Sequence, residues 1–162
     1  FDLIFVASGA LQVTEPPEKS LRSLSAKGLA EQFAVNTIGP SLILRQAPRL
    51  LPRDKPSVFA ALSARVGSIG DNRLGGWYSY RASKAALNQV LHGASIEIKR
   101  THPQAIIAAL HPGTVATDFT AKYVSADQAT PPGEAARNLL DVTENLNETG
   151  GFYDYAGRVI PW

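Results

Sequence analysis

The sequence predicts an α/β fold, a parallel sheet covered by helices on both faces, and three observations carry that prediction. Short runs apolar on both faces recur along the chain, helix-length segments of near-3.6 spacing separate them, and the loop after each of the first three runs is rich in glycine, hydroxyls and turn formers. The first run covers residues 2–7, with Leu3, Ile4, Phe5 and Val6 in succession and Ser8-Gly9 behind them. After a loop with Pro16 and Pro17, residues 25–51 read as a helix. Ser25 is a suitable N-cap, and Leu29, Phe33, Val35, Ile38, Leu42, Ile43 and Leu50 recur at helical intervals. Gly39-Pro40 predicts a kink near its middle, because proline offers no N–H and crowds the preceding turn. Residues 58–62 form the second strand, entered from Pro56, and residues 63–76 the loop at its carboxyl end. The longest helix is predicted over 78–99, where Ala82, Ala85, Ala86, Leu87, Val90 and Leu91 supply a wide small-and-apolar face. A third strand over 105–110 is expected to stop at His111-Pro112-Gly113. A helix over 131–146, opened by two prolines, and a strand over 151–155 complete the series.

A chain of 162 residues with 44% apolar content is expected to be one domain over 1–162. Lys and Arg number 16 against 14 Asp and Glu, with no basic run, which predicts neither a nucleic-acid track nor a membrane-surface patch. With no cysteine, disulfides, thiolate zinc sites and thiol nucleophiles are excluded. Apolar runs such as residues 105–110 are too short to cross a bilayer. Asp2, with no basic stretch before it, argues against a signal-peptide core. The absence of methionine and the opening on Phe1 within an apolar run predict that these residues belong to a longer chain.

In open parallel sheets the working groups gather beyond the carboxyl ends of the strands, so the chemistry is expected in the loops after residues 7, 62 and 110. The second loop runs into Tyr80-Arg81-Ala82-Ser83-Lys84, where residues four apart on a helix share one face. A free phenol ionises near pH ~10, so a tyrosine working near neutrality needs its anion stabilised, and a neighbouring ammonium can do so. The pair gains weight from its company: Ser63 at a strand end, Asn36 in the preceding helix, and Pro112-Gly113 followed by Thr117 after the third strand. His92, His102 and His111 show neither metal-ligand spacing nor a nucleophile elbow, and are expected to be satisfied or solvated, with His111 capping a strand end. Trp77 and Trp162 are expected as packing or pocket wall.

In this order and spacing the residues resemble the short-chain dehydrogenases/reductases. The likeness runs along the whole chain, from the fourth strand of that fold to its end. The stretches 63–88 and 151–162 resemble the C-factor branch, named for a cell-to-cell signalling protein. The resemblance implies a Rossmann-like sheet lacking its N-terminal strands, NAD or NADP as cofactor, and a small-molecule carbonyl or alcohol as substrate. It also implies a homo-oligomer built on the helices around Asn36 and Tyr80, a cytoplasmic setting, and no nucleic-acid or membrane partner. It assigns Tyr80 as proton donor or base. Lys84 would lower the Tyr80 pKa and hold the nicotinamide ribose, Ser63 would bond the substrate oxygen, and Asn36 would anchor a relay water. Ser68, twelve residues before Tyr80, is the alternative to Ser63. Pro112, Gly113, Thr114 and Thr117 correspond to the loop beside the nicotinamide, and Ser8 and Gly9 to the cofactor loop after the first strand. The loop 73–77 and a lid over 117–128 would shape the substrate pocket. Two departures stand out: Ser63 is followed by Ala64 where members commonly carry two serines, and the family's glycine-rich phosphate turn is absent from these residues. The second departure predicts weak dinucleotide binding by these residues alone and an unpaired edge along residues 2–7. The C-factor likeness also raises a signalling or binding module with an idle catalytic site.

Overall fold

The computed structural model describes residues 1–118, 120, 121, 124, 125 and 128–162. Strands β1 (Leu3–Val6), β2 (Ser57–Leu62), β3 (Ala105–His111) and β4 (Gly151–Asp154) form one parallel sheet in the order β1-β2-β3-β4. Leu3 lies opposite Val58, Ser57 opposite Ala105, and Ala108 opposite Gly151. Because parallel neighbours need crossovers, helices occupy the connections and come to rest on the two faces. β3 runs one residue further than expected. His111 still pairs with Asp154 of β4, and the ladder ends at Pro112, which has no N–H to donate.

Helix α1 (Ala26–Phe33) begins as the sequence predicts, with the Ser25 hydroxyl oxygen accepting the Gly28 N–H at 2.9 Å. The single kinked helix expected to residue 51 is instead α1, a π-helical turn (Ala34–Ile38), α2 (Gly39–Leu44) and α3 (Ala47–Leu50). The cause is the predicted one: Pro40 has no N–H for the Asn36 carbonyl, and the helix widens just before it, so that the Gly39 N–H bonds Ala34 O, five residues back. Helix α4 (Tyr78–Ile98) crosses from β2 to β3, and α5 (Pro132–Asn145) from β3 to β4.

One sheet face buries Phe59, Ala61, Ile107 and Phe152 beneath Leu44, Ala47, Leu87 and Leu91 of α2, α3 and α4. The other buries Ala60, Ala108 and Leu110 beneath Leu139 and Val142 of α5. Burial on both faces explains why the strands read as unbroken apolar runs, and each fully buried Leu, Ile or Phe contributes roughly 1.5–3 kcal/mol. Trp162 stacks on Phe152 with ring centroids 5.7 Å apart, so it packs, as expected. β1 pairs with β2 alone among the described strands and forms the sheet edge. No described helix is long and apolar enough to cross a membrane.

Candidate active site

A cleft of about 640 Å³ opens beyond the carboxyl ends of β1, β2 and β3. Its walls bring together residues far apart in sequence: Ser8 and Gly9 after β1, Ser63 and Ala64 after β2, Tyr80 and Lys84 on α4, and Pro112, Gly113, Thr114 and Thr117 after β3. The lid expected over 117–128 lies partly outside the described residues, and Thr117, Thr120 and Val124 among those described line the cleft.

Helix α4 supplies one wall of the cleft. Its first turn carries no cap from Trp77; instead the buried Glu18, from the loop after β1, accepts the Ser79 N–H at 3.2 Å and also the Ser79 hydroxyl, while the Glu18 carbonyl accepts the Trp77 N–H at 2.6 Å. A carboxylate at a helix N-terminus is favoured by the dipole as well as by the bonds. Tyr80, Lys84 and Asn88 then repeat at four-residue spacing, and all three are buried, with Tyr80 7% and Lys84 2% exposed. The turn Arg65–Gly67 presses on this face: a Cβ on Gly67 would stand 2.8 Å from the Lys84 Cβ, so only glycine lets the two backbones come so close. Trp77 sits in the left-handed region at φ 49° and meets Tyr80 edge-on, with ring centroids 6.4 Å apart. It forms part of the cleft wall, as expected.

Lys84 Nζ donates to the Leu62 carbonyl at 2.7 Å and lies 6.0 Å from the centre of the Tyr80 ring. Gly9 leaves room over this amine, since a Cβ there would stand 3.1 Å from Nζ and 3.3 Å from the Asn36 Oδ1. Asn36 itself is fully buried and does not line the cleft. Its Oδ1 accepts the Ala10 N–H at 2.9 Å, and its Nδ2 donates to Ala10 O at 2.8 Å and to Gln32 Oε1 at 2.5 Å. Its side chain therefore ties the π turn to the loop after β1. Ser63 donates its hydroxyl to Asn88 Oδ1 at 2.6 Å, and Ser68 donates to the Pro161 carbonyl at 2.5 Å while accepting the Asp71 N–H.

No family model matches the chain. Over 99% of its length it is 32% identical to 1-hydroxy-2-glutathionyl-2-methyl-3-butene dehydrogenase of Rhodococcus sp. (strain AD45), covering 68% of that protein. It is 34% identical to C-signal of Myxococcus xanthus over 83% of the chain and 78% of the relative. In three dimensions the whole chain superposes on 67% of a Burkholderia multivorans protein described as a short-chain dehydrogenase/reductase with bound NADP, with a TM-score of 0.84 and 26% identity. The chain belongs to the short-chain dehydrogenase/reductase family. The Rossmann-like sheet expected from the sequence is present, and the chain spans about two thirds of the length of this dehydrogenase relative and this structural neighbour.

Within this short-chain dehydrogenase/reductase, the electrostatics of the tyrosine–lysine pair differ from the expectation. Burial raises the Tyr80 phenol above its ordinary range, so the expected lowering by Lys84 does not prevail. Burial also pushes the Lys84 amine down to about 8, which still leaves it mostly charged at neutrality. His111 lines the cleft and is pushed down to about 4, by burial first and then by the Arg65 guanidinium, itself held by Asp71 at 3.1 Å and Asp154 at 3.2 Å. His92 meets Gly150 O at 3.0 Å, in keeping with a satisfied role. His102 is satisfied on one side, its Nδ1 lying 2.8 Å from the Thr101 hydroxyl while its Nε2 is buried without a hydrogen-bond partner among the described residues; for His111 the expectation is corrected, since its Nδ1 is buried without such a partner. Asn88 and Glu18 were missed by the sequence reading. Asn88 had a signal, its place four residues beyond Lys84; Glu18 had none, since its partner Ser79 is 61 positions away.

Proposed function

We propose that this chain carries the nicotinamide and substrate end of an NAD(P)-dependent oxidoreductase that interconverts a small carbonyl compound and its alcohol. The observation that carries the reading is the placing of Tyr80 and Lys84 on one wall of the cleft, with Nζ 6.0 Å from the phenol ring and the 112–114 loop lining the same space. The residues fit a nicotinamide nucleoside: Lys84 has N–H groups beyond the one given to Leu62, and Gly9 leaves the space over them open. Lys84 and Gly9 would hold the ribose, with Ser8, Pro112, Gly113, Thr114 and Thr117 around the ring and its carboxamide. When bound, the nicotinamide supplies or accepts the hydride. Tyr80, protonated at neutral pH, donates its proton to the carbonyl oxygen as negative charge develops there, and takes it back in the alcohol direction. Asn36 supports the site by fixing Ala10 beside Gly9. The family's relay water is assigned to Asn36 on the resemblance alone.

Either NAD or NADP suits these residues, and the Burkholderia neighbour holds NADP. We further propose a cytoplasmic homo-oligomer joined through the exposed apolar residues Ile38, Leu42 and Ile43 on the helices around Asn36. Replacement Tyr80→Phe in the full-length protein is expected to cut NADPH-dependent carbonyl reduction by ~10²-fold or more while nucleotide binding persists. Undiminished turnover by that variant would refute the reading. The 34% identity to C-signal favours one other role, a signalling or binding module with Tyr80 idle. In that case Tyr80→Phe would leave partner binding intact and there would be no reductase activity to lose.

A further inference from the structure

The turn that follows β4 reaches two walls of the cleft from outside it. Asp154, which ends β4, is 4% exposed, and its carboxylate works in two directions. Oδ1 accepts the N–H groups of Ala156 and Arg158, each at 3.0 Å, which fixes the turn itself. Oδ2 accepts from the Arg65 guanidinium at 3.2 Å, a partner 89 positions back. The planar guanidinium is forked between this oxygen and Asp71 at 3.1 Å, so two carboxylates rather than one set its place. Arg65 opens the turn Arg65–Gly67, which α4 holds from its own side: Val66 O accepts from Arg81 Nη1 and Gly67 O from Asn88 Nδ2, both at 3.4 Å. Arg65 and Val66 line the same cleft as Tyr80.

The next residue of the β4 turn meets a second wall. The Tyr155 ring lies against Gly113 of the 112–114 loop, where a Cβ would stand 2.9 Å from the Tyr155 Cδ1, so only a bare glycine backbone packs this closely on the ring. Resting on the redox reading above, we infer that Asp154 and Tyr155 are positioning residues for the reaction. Asp154, acting through Arg65, holds the cleft wall that follows β2. Tyr155, acting through Gly113, holds the nicotinamide loop that follows β3. One turn outside the cleft thus fixes the spacing between substrate and cofactor. Hydride and proton transfer need that spacing held closely, and a misplacement of ~1 Å caused from a distance can cost ~10² in rate.

The test uses the full-length protein with NADPH and a set of aromatic aldehydes and ketones, well below the thermal midpoint of every variant. Asp154→Asn keeps an oxygen for the turn's N–H groups and removes the charge that holds Arg65, and it is expected to lower kcat by ~10-fold or more at unchanged Kd for NADPH. Arg65→Met should give a similar loss, and the double variant little more than either alone, since both break one link. Tyr155→Ala is expected instead to weaken NADPH binding by ~10-fold, because the loop must then be ordered on binding. Tyr155→Phe keeps the ring and should bind as the wild type does. Should Asp154→Asn not fold, Arg65→Lys, which keeps the cation but not the fork, and the Tyr155 pair decide by the same readouts. Contacts that only hold the fold together would lower the thermal midpoint and leave kcat and Kd of the folded enzyme at wild-type values. That result overturns the inference while the redox reading stands, and so does a double variant whose losses add in full. If the wild type neither binds NADPH nor reduces any of the carbonyls, the redox reading itself falls, and the inference with it.

Discussion

Lys84 is a charged group almost wholly withdrawn from water, and its withdrawal makes stability depend on pH in a way that can be isolated. Burial pushes its amine from 10.5 down to about 8 in the folded chain, while the unfolded chain keeps the ordinary value. Between those pH values the unfolded state binds the extra proton, so folding stability rises as pH rises through the window. At ~1.4 kcal/mol per pH unit, a gap of about 2.5 units amounts to about 3–4 kcal/mol. The burial penalty is fully present below pH 8 and relieved by about pH 10.5. The perturbation is Lys84→Met, which keeps the length and apolar stem of the side chain and removes the titration. The assay is thermal or urea unfolding of both proteins from pH 7 to 10.5, reading the difference between them. Tyr80 is present in both proteins and largely cancels. In either protein alone it acts the other way above pH 10, where the unfolded phenol ionises and the buried one keeps its proton. The wild type is expected to gain about 3–4 kcal/mol on the variant across the window, or about 6–16 °C in midpoint for a domain of this size. A difference that stays flat would show that Lys84 keeps its solution pKa in the fold, and the argument for a buried ammonium beside Tyr80 would fail.

Asn36→Leu removes three hydrogen bonds and strands both backbone groups of Ala10. Because Ala10 is only part-buried and water can reach it in part, the expected loss is about 2–4 kcal/mol by urea unfolding. Gly9→Val would place a Cβ 3.1 Å from the Lys84 amine and is expected to weaken NADPH binding by ~10-fold, about 1.4 kcal/mol, in a fluorescence titration, with little change in the melting midpoint. The 162-residue chain, with β1 paired on one side only among the described strands and Leu3 37% exposed, is expected to associate through that edge. Sedimentation of a stable monomer with β1 unpaired would refute this.

Much of the fold was legible in the sequence, because strands buried on both faces must be apolar throughout and helices that cover them must repeat near 3.6. Pro40 announced a break in the first long helix, although the π turn Ala34–Ile38 is a packing solution that periodicity does not specify. The residue types and spacing around Tyr80 and Lys84, the 112–117 segment and the Ser25 cap were likewise readable, being local in sequence. Tertiary structure decided where each polar group points and how much water it keeps. Ser63 faces Asn88, Asn36 faces Ala10, Glu18 caps α4, and burial outweighs the ammonium at Tyr80. Each of these depends on a partner 25 or more positions away, or on a solvent exposure that exists only once the sheet and its helices have closed together.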